Sequence, residues 1–181
     1  MTAVDPTQAT IDRVVERLEV GDVGHVVVAT TSGETGVRFA EALAAHKVRV
    51  IVVTHHVGFK GGDDDQLAAN HRERLVELGT GIVTGTHALS GVPRSISKAF
   101  GGTTPAEIIA HTLRLFGQGM KVCVEIAVMA ADAGQIPTDR DVICVGGTGR
   151  GADTAAVIRP AHMNAFFETR IGEILCRPTD T

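Results

Sequence analysis

The run Val26-Val27-Val28-Ala29-Thr30-Thr31-Ser32-Gly33-Glu34-Thr35-Gly36 constrains the fold of this 181-residue chain more than any other stretch. Its consecutive β-branched apolar residues predict a strand buried on both faces, the environment of an interior strand in a parallel sheet. After Gly36 the period changes, and Val37, Ala40, Leu43 and Ala44 recur at helical spacing. A buried strand turning through Thr30, Thr31, Ser32 and Gly33 into a helix leaves unpaired backbone N–H groups at the positive end of the helix dipole. Such a turn suits an anion. Ser32 acting as a plain helix cap is the commoner meaning of such a turn taken alone.

Upstream, Asp5-Pro6 opens a helix whose stripe is Ile11, Val14, Val15 and Leu18, with Gly21 ending it. Downstream, Val48 to Thr54 predicts a second strand. The short strand–helix–strand connection makes the two strands parallel neighbours. Residues 55–65 form a loop containing His55-His56 and Asp63-Asp64-Asp65. Adjacent histidines diverge on extended backbone, so they make poor metal ligands and no metal site is predicted. His55 is a candidate for lining a site at the end of the second strand, two surface histidines being the alternative. The acidic run is expected to solvate and cap a helix from Gln66 to Leu78, ahead of a third strand at Gly81–Thr84.

Between Thr86 and Lys98, Ser90, Arg94, Ser95, Ser97 and Lys98 cluster around Gly91 and Pro93. Hydroxyls with Arg and Lys suit a phosphate or carboxylate, and a capped surface turn explains them equally. Thr104-Pro105-Ala106-Glu107 carries the N-cap, first-turn proline and third-position glutamate of a helix start, running to about Phe116. The segment from Val122 to Ala131 is apolar nearly all round and predicts a core helix. Glu125 interrupts it, and a buried carboxylate must be paired, hydrogen-bonded or protonated. It is therefore a candidate site residue or a structural partner, with Lys121 one turn earlier in the weaker order for such a pair.

Asp141 to Val145 predicts the fourth strand, followed by Gly146-Gly147-Thr148-Gly149-Arg150-Gly151-Ala152-Asp153-Thr154. Gly147-x-Gly149-x-x-Ala152 fits the dinucleotide fingerprint superficially, but Ala155 to Pro160 continues as a strand where that motif needs a helix. A glycine-rich loop with Arg150 inside it remains a backbone nest for an anion. His162 and an edge strand near Glu173–Cys176 close the chain. The whole predicts one α/β domain over residues 1–181: three α/β/α layers around a mostly parallel doubly wound sheet, order 3-2-1-4-5, with an antiparallel last strand. In that order the Thr30–Gly36 turn and the Gly146–Thr154 loop flank the switch point where open α/β sheets bind ligands.

Composition removes other classes. A net charge of −4 gives no basic surplus for nucleic acid, and without Trp or Tyr there is little to stack bases on. No apolar run approaches the ~20 residues of a membrane span. Met1-Thr2-Ala3-Val4-Asp5 lacks the basic and apolar regions of a signal peptide, so the expected location is cytoplasmic. Cys123, Cys144 and Cys176 are far apart among apolar neighbours, which predicts buried hydrophobes without a zinc or dithiol motif.

Thr30-x-Ser32-Gly33-x-Thr35 resembles the Thr-x-Ser-Gly-Arg-Ser turn of the C-terminal α/β domain of pyruvate kinase. Val145 through Arg159 is similar to that domain's glycine-rich loop and following strand, with Gly147, Gly151 and Arg159 in matching places. Taken whole, with Ser90-Gly91-x-x-Arg94-Ser95-Ile96-Ser97 and Lys121 to Ile126, the chain resembles the stand-alone pyruvate-kinase-C-terminal-domain-like proteins of archaea and bacteria. The resemblance implies that the two loops hold a phosphorylated ligand and that the protein is a homo-oligomer. Two departures stand out. Glu34 occupies the place of a phosphate-binding Arg, leaving Arg94, Lys98 or Arg150 to compensate. The catalytic (β/α)₈ barrel, itself about 250 residues, does not fit, so pyruvate kinase chemistry is not expected.

The expected function is binding of a phosphorylated small molecule, FMN being the specific ligand expected. The expected contacts are Thr30, Thr31, Ser32, Gly33, Glu34 and Thr35 from the first turn, Gly146, Gly147, Thr148, Gly149, Arg150 and Gly151 from the second loop, and Arg94 with Ser95. The alternatives are an enzyme acting on such a molecule, with His55, Glu125 and His162 as catalytic candidates, or a regulatory subunit without chemistry.

Overall fold

The β-branched runs become the middle of a single sheet. In the computed structural model, which describes residues 5–178, the strands are β1 (His25–Ala29), β2 (Arg49–Thr54), β3 (Gly81–Thr84), β4 (Val142–Gly146), β5 (Thr154–Arg159) and β6 (Arg170–Cys176). Their order is β3-β2-β1-β4-β5-β6. The reading of the first four residues as free of a signal peptide lies outside the described residues. β1 lies between β2 and β4 and runs parallel to both, with Val27 opposite Ile51 on one side and Cys144 on the other. The β4–β5 and β5–β6 pairings are antiparallel. The expected order of five strands is met and a sixth extends it. Only β5 opposes the common direction, because β6 reverses the chain once more.

Strand alternation sorts the core into two layers. Val26, Val28, Val50, Val52, Ile143 and Val145 pack against α1 (Pro6–Leu18), α2 (Glu34–Ala42) and α3 (Ala69–Glu77), around the fully buried Phe39 and Leu75. Val27, Ile51, Val53, Cys144 and Ala156 face the other way, onto α6 (Gln118–Asp132). α4 (Val92–Phe100) and α5 (Pro105–Arg114) stand outside α6. The expected core helix is thus α6, which is apolar around its circumference because it has the sheet on one side and α5 on the other. The capping box of Thr104 and Glu107 starts α5 as its sequence implies.

One helix begins later than its periodicity indicates. The Ala68 N–H donates to the Ser32 carbonyl at 3.1 Å, which holds Ala68 extended (φ −60°, ψ 139°) and delays α3 to Ala69. Asp65 receives the Leu67 N–H and pairs with Arg72, so it closes the loop and reaches onto the helix from outside its first turn. Cys123 and Cys144 are buried and Cys176 is half-buried, and burial pushes all three thiols up. No helix among the described residues is long and apolar enough to cross a membrane.

Candidate functional site

The carboxyl ends of β1 and β4 carry the two loops to one crevice of about 720 Å³. The first turn is fixed from behind. Thr30 is buried, and its Oγ1 accepts the N–H groups of Gly33 (3.1 Å) and Gly36 (3.4 Å). Thr30 therefore does the capping assigned above to Ser32, whose hydroxyl is left for the crevice. The Ser32 carbonyl is held by Ala68 N–H and by His71 Nδ1 at 2.8 Å. Gly33 sits at φ +101°, and a Cβ there would strike His71 and come within 2.7 Å of Leu67 Cδ1. This turn requires glycine on both counts.

Gly33 is the N-cap of α2. The N–H groups of Glu34 and Thr35 at its first turn have no acceptor among the described residues, as expected of a helix start. Of the residues expected to contact a ligand, Thr31, Ser32, Glu34, Thr35, Gly149, Arg150 and Gly151 line the crevice. Asp5, Pro6, Thr7, Arg38 and Lys60 join them. Those five escaped sequence reading, although Arg38 lies one turn after Glu34 on the same helix face. Arg38 pairs with Asp5 at 2.6 Å, holding that carboxyl below its ordinary range.

The second loop is less open than its glycines imply. Thr148 N–H donates to Asp153 (2.9 Å) and Ala152 N–H to Thr7 Oγ1 (3.0 Å), so two of the expected nest donors are already taken. Gly151 at φ +71° rests on the Thr7 hydroxyl, which docks the loop on the start of α1. Gly146 and Gly147 lie behind the crevice wall, packed against the Gly119 and Gly151 carbonyls. What this loop presents to the cavity is Gly149, Gly151 and the exposed Arg150.

The remaining candidates lie elsewhere. His162 is exposed and its Nδ1 meets Asp132 Oδ1 at 3.0 Å, at the far end of α6. Arg94, Ser95, His55 and Glu125 line cavities on the opposite face of the sheet, at the ends of β1, β2 and β3. There Glu125 is 5% exposed and Lys121 is 3% exposed, and the two form a buried ion pair. Glu125 Oε1 also accepts the Leu89 N–H (2.8 Å) and the Ser90 hydroxyl (3.1 Å). Burial raises the Glu125 carboxyl, and the charge and hydrogen bond of Lys121 together with the Leu89 N–H more than reverse that, leaving it below the ordinary range. Burial also lowers Lys121, which Glu125 only partly restores. His87, drawn down to about 4 mainly by burial, is a neutral imidazole at pH 7, with Nδ1 3.3 Å from Ser90 Oγ.

A profile of the family described as pyruvate kinase, alpha/beta domain matches residues 8–158 of the 181. The chain belongs to the pyruvate kinase alpha/beta domain family. The match also spans the middle of the chain, so the likeness extends well beyond the two loops. Among solved structures, O-ureido-L-serine synthase matches with a TM-score of 0.32 and 19% identity, over 68% of this chain and 46% of that one. An O-ureido-L-serine-bound lysine-to-alanine variant of that synthase matches with a TM-score of 0.33 and 18% identity, over 70% and 47%. The chain spans less than half the length of those synthase chains.

Proposed function

We propose that this alpha/beta domain binds a phosphorylated small molecule in the crevice between the loops after β1 and β4, with the phosphate at the first turn of α2. The observation that carries this is the convergence of unfilled donors. The Glu34 and Thr35 N–H groups, the hydroxyls of Ser32 and Thr35, and the cations Lys60 and Arg150 all border one cavity, with Arg38 beside them already paired to Asp5. Helix N-terminal N–H groups and the dipole favour an anion there. Arg150 and Lys60 supply the charge that an arginine at position 34 would otherwise contribute.

The lining speaks for a hydrophilic ligand. Pro6 is the one apolar side chain among the polar ones, so the crevice fits the phosphate of FMN but offers its ring no stacking wall. His55, Glu125 and His162 are outside the crevice, whose own carboxylates are Asp5 and Glu34. Binding, or regulation through binding, is therefore a better account of this crevice than catalysis by the candidate trio. Self-association belongs to the same reading: Val92, Ile96 and Phe100 form an exposed apolar stripe at i, i+4 and i+8 on α4. Light scattering on the wild type and Phe100→Glu tests that part.

Calorimetric titration with inorganic phosphate, with FMN and with small sugar phosphates tests the binding. Ser32→Ala with Thr35→Ala is expected to weaken phosphate by about 1.5–3 kcal/mol for each charge-assisted hydrogen bond lost. Unchanged affinity with the fold intact returns the turn to a plain helix start. A yellow protein with a flavin spectrum would place FMN ahead of sugar phosphates.

A further inference from the structure

Beneath α6, on the face of the sheet opposite α1 and α2, an inner cavity of about 130 Å³ adjoins an outer one of about 740 Å³. The two share Phe59, His87, Ser90 and Arg94. The inner cavity is lined by Lys121, Arg94 and Arg114 together with Glu125. Lys121 and Glu125 cancel in charge, which leaves two guanidinium groups and no second carboxylate on its wall.

The hydrogen bonding is as lopsided as the charge. Glu125 is well supplied, with Lys121, the Leu89 N–H and the Ser90 hydroxyl all donating to it. An ammonium has three N–H donors. For Lys121 the single hydrogen-bond acceptor among the described residues is Glu125, although the side chain is almost wholly enclosed. Arg114 gives its Nε to Gln118 at 2.6 Å, and Arg94 has no carboxylate within ion-pairing distance among the described residues. A buried ion pair offsets its desolvation only when further hydrogen bonds satisfy its remaining donors and acceptors, and what Lys121 lacks is acceptors. Two further cations gathered at the same cavity have no role in that.

We infer that the inner cavity is a second anion site, independent of the crevice, which takes an oxyanion headgroup between Lys121, Arg94 and Arg114 and leaves the organic body of the ligand in the outer cavity. Phosphate and carboxylate share the required chemistry: oxygens that accept from an ammonium and from guanidinium forks. Glu125 holds Lys121 in place for it. His87, uncharged at the mouth, lets the ligand pass without adding a fixed charge.

Imidazole and amide NMR on the whole chain, titrated separately with inorganic phosphate and with acetate, tests the assignment. Phosphate is expected to move His87 and Ser90 as well as Thr35, with different midpoints. Arg94 is exposed, so Arg94→Gln leaves the fold intact. It is expected to weaken the response at His87 by about tenfold or more while sparing the one at Thr35. Ser32→Ala with Thr35→Ala is expected to do the reverse, so failure of one site is told apart from failure of the other. A response of His87 to acetate as well identifies a carboxylate as an acceptable headgroup. If neither anion moves His87 and Ser90, or if Arg94→Gln leaves their midpoints unchanged, the cavity is no anion site and Lys121–Glu125 is a structural pair alone.

Discussion

At the crevice beside β4, Glu34 and Arg150 are exposed and border a turn whose Gly33 and Gly36 N–H groups are held from behind by Thr30, while those of Glu34 and Thr35 stay open. Under α6, a few strand ends away, Lys121 and Glu125 are enclosed and depend on each other. The same edge of the sheet thus holds charge in two ways. In water, a side chain can be exchanged with little consequence for stability, and the helix dipole and backbone N–H groups carry recognition. In the enclosed cavity, recognition and folding draw on the same atoms. Removing one partner there costs far more than the pair itself contributes.

The largest effect that could break this contrast is at Glu125. Glu125→Ala leaves a buried ammonium unpaired and strands the Leu89 N–H, and is expected to cost about 3–5 kcal/mol in urea unfolding. Lys121→Met combined with Glu125→Leu removes both charges and is expected to cost less, about 1–3 kcal/mol, for the Leu89 N–H it still strands. A loss below about 1 kcal/mol for Glu125→Ala would mean that the pair behaves as a surface salt bridge. The two regions would then not differ as argued.

A titration comes next in size. His87 is held down to about 4, first by burial, with His55, Lys121 and His56 adding to the effect and Glu125 opposing it. The unfolded chain takes up a proton at this residue below its ordinary value of 6.5 while the folded chain does not. Stability is therefore level above pH 6.5 and falls as the pH drops toward 4. By pH 5 the loss is expected to reach at most about 2 kcal/mol, less for the part of the ring that meets solvent. His87→Asn is expected to reduce that slope between pH 6.5 and 5, leaving the part due to His25, which burial also lowers, and an unchanged slope would assign it to other groups.

The contrast also explains what the sequence could disclose. The crevice was legible because each of its loops is contiguous: a β-branched run followed by Thr-Thr-Ser-Gly, and a glycine-rich loop after the fourth strand. The pairing of β1 with β2 followed from their short strand–helix–strand connection, and the place of β4 beside β1 from the simplest doubly wound arrangement. What could not be read was which N–H groups were already occupied, since Asp153 and Thr7 take donors of the second loop through contacts that spacing does not reveal. The inner cavity is harder still. It gathers His55 from the end of β2, Ser90 and Arg94 from the start of α4, Arg114 from α5 and Lys121 with Glu125 from α6. The four-residue spacing of Lys121 and Glu125 was visible, but its burial depends on how α5 and the 87–90 turn close over α6. For the same reason Arg94 and Ser95 looked like parts of the crevice until the fold put the sheet between them.

The smallest expected effect tests the exposed side of the comparison. Glu34 is the first residue of α2, exposed and without a hydrogen-bond partner among the described residues, and it lines the crevice. As a charge at a helix start it contributes roughly 0.3–1 kcal/mol through the dipole, so Glu34→Gln is expected to lower stability by no more than that. Its effect on binding separates two roles. If the carboxylate only serves the helix, Gln removes a negative charge from the wall of an anion site, and both phosphate and a hydroxyl-bearing sugar phosphate bind equally well or more tightly. If it accepts a hydrogen bond from a ligand hydroxyl, as acidic residues do for ribose in dinucleotide folds, the sugar phosphate weakens while inorganic phosphate does not. We expect the second outcome, because Arg150 and Lys60 already balance the crevice and Glu34 faces it with free acceptor oxygens. Tighter binding of both ligands to Glu34→Gln would make the carboxylate a helix-start charge and nothing more.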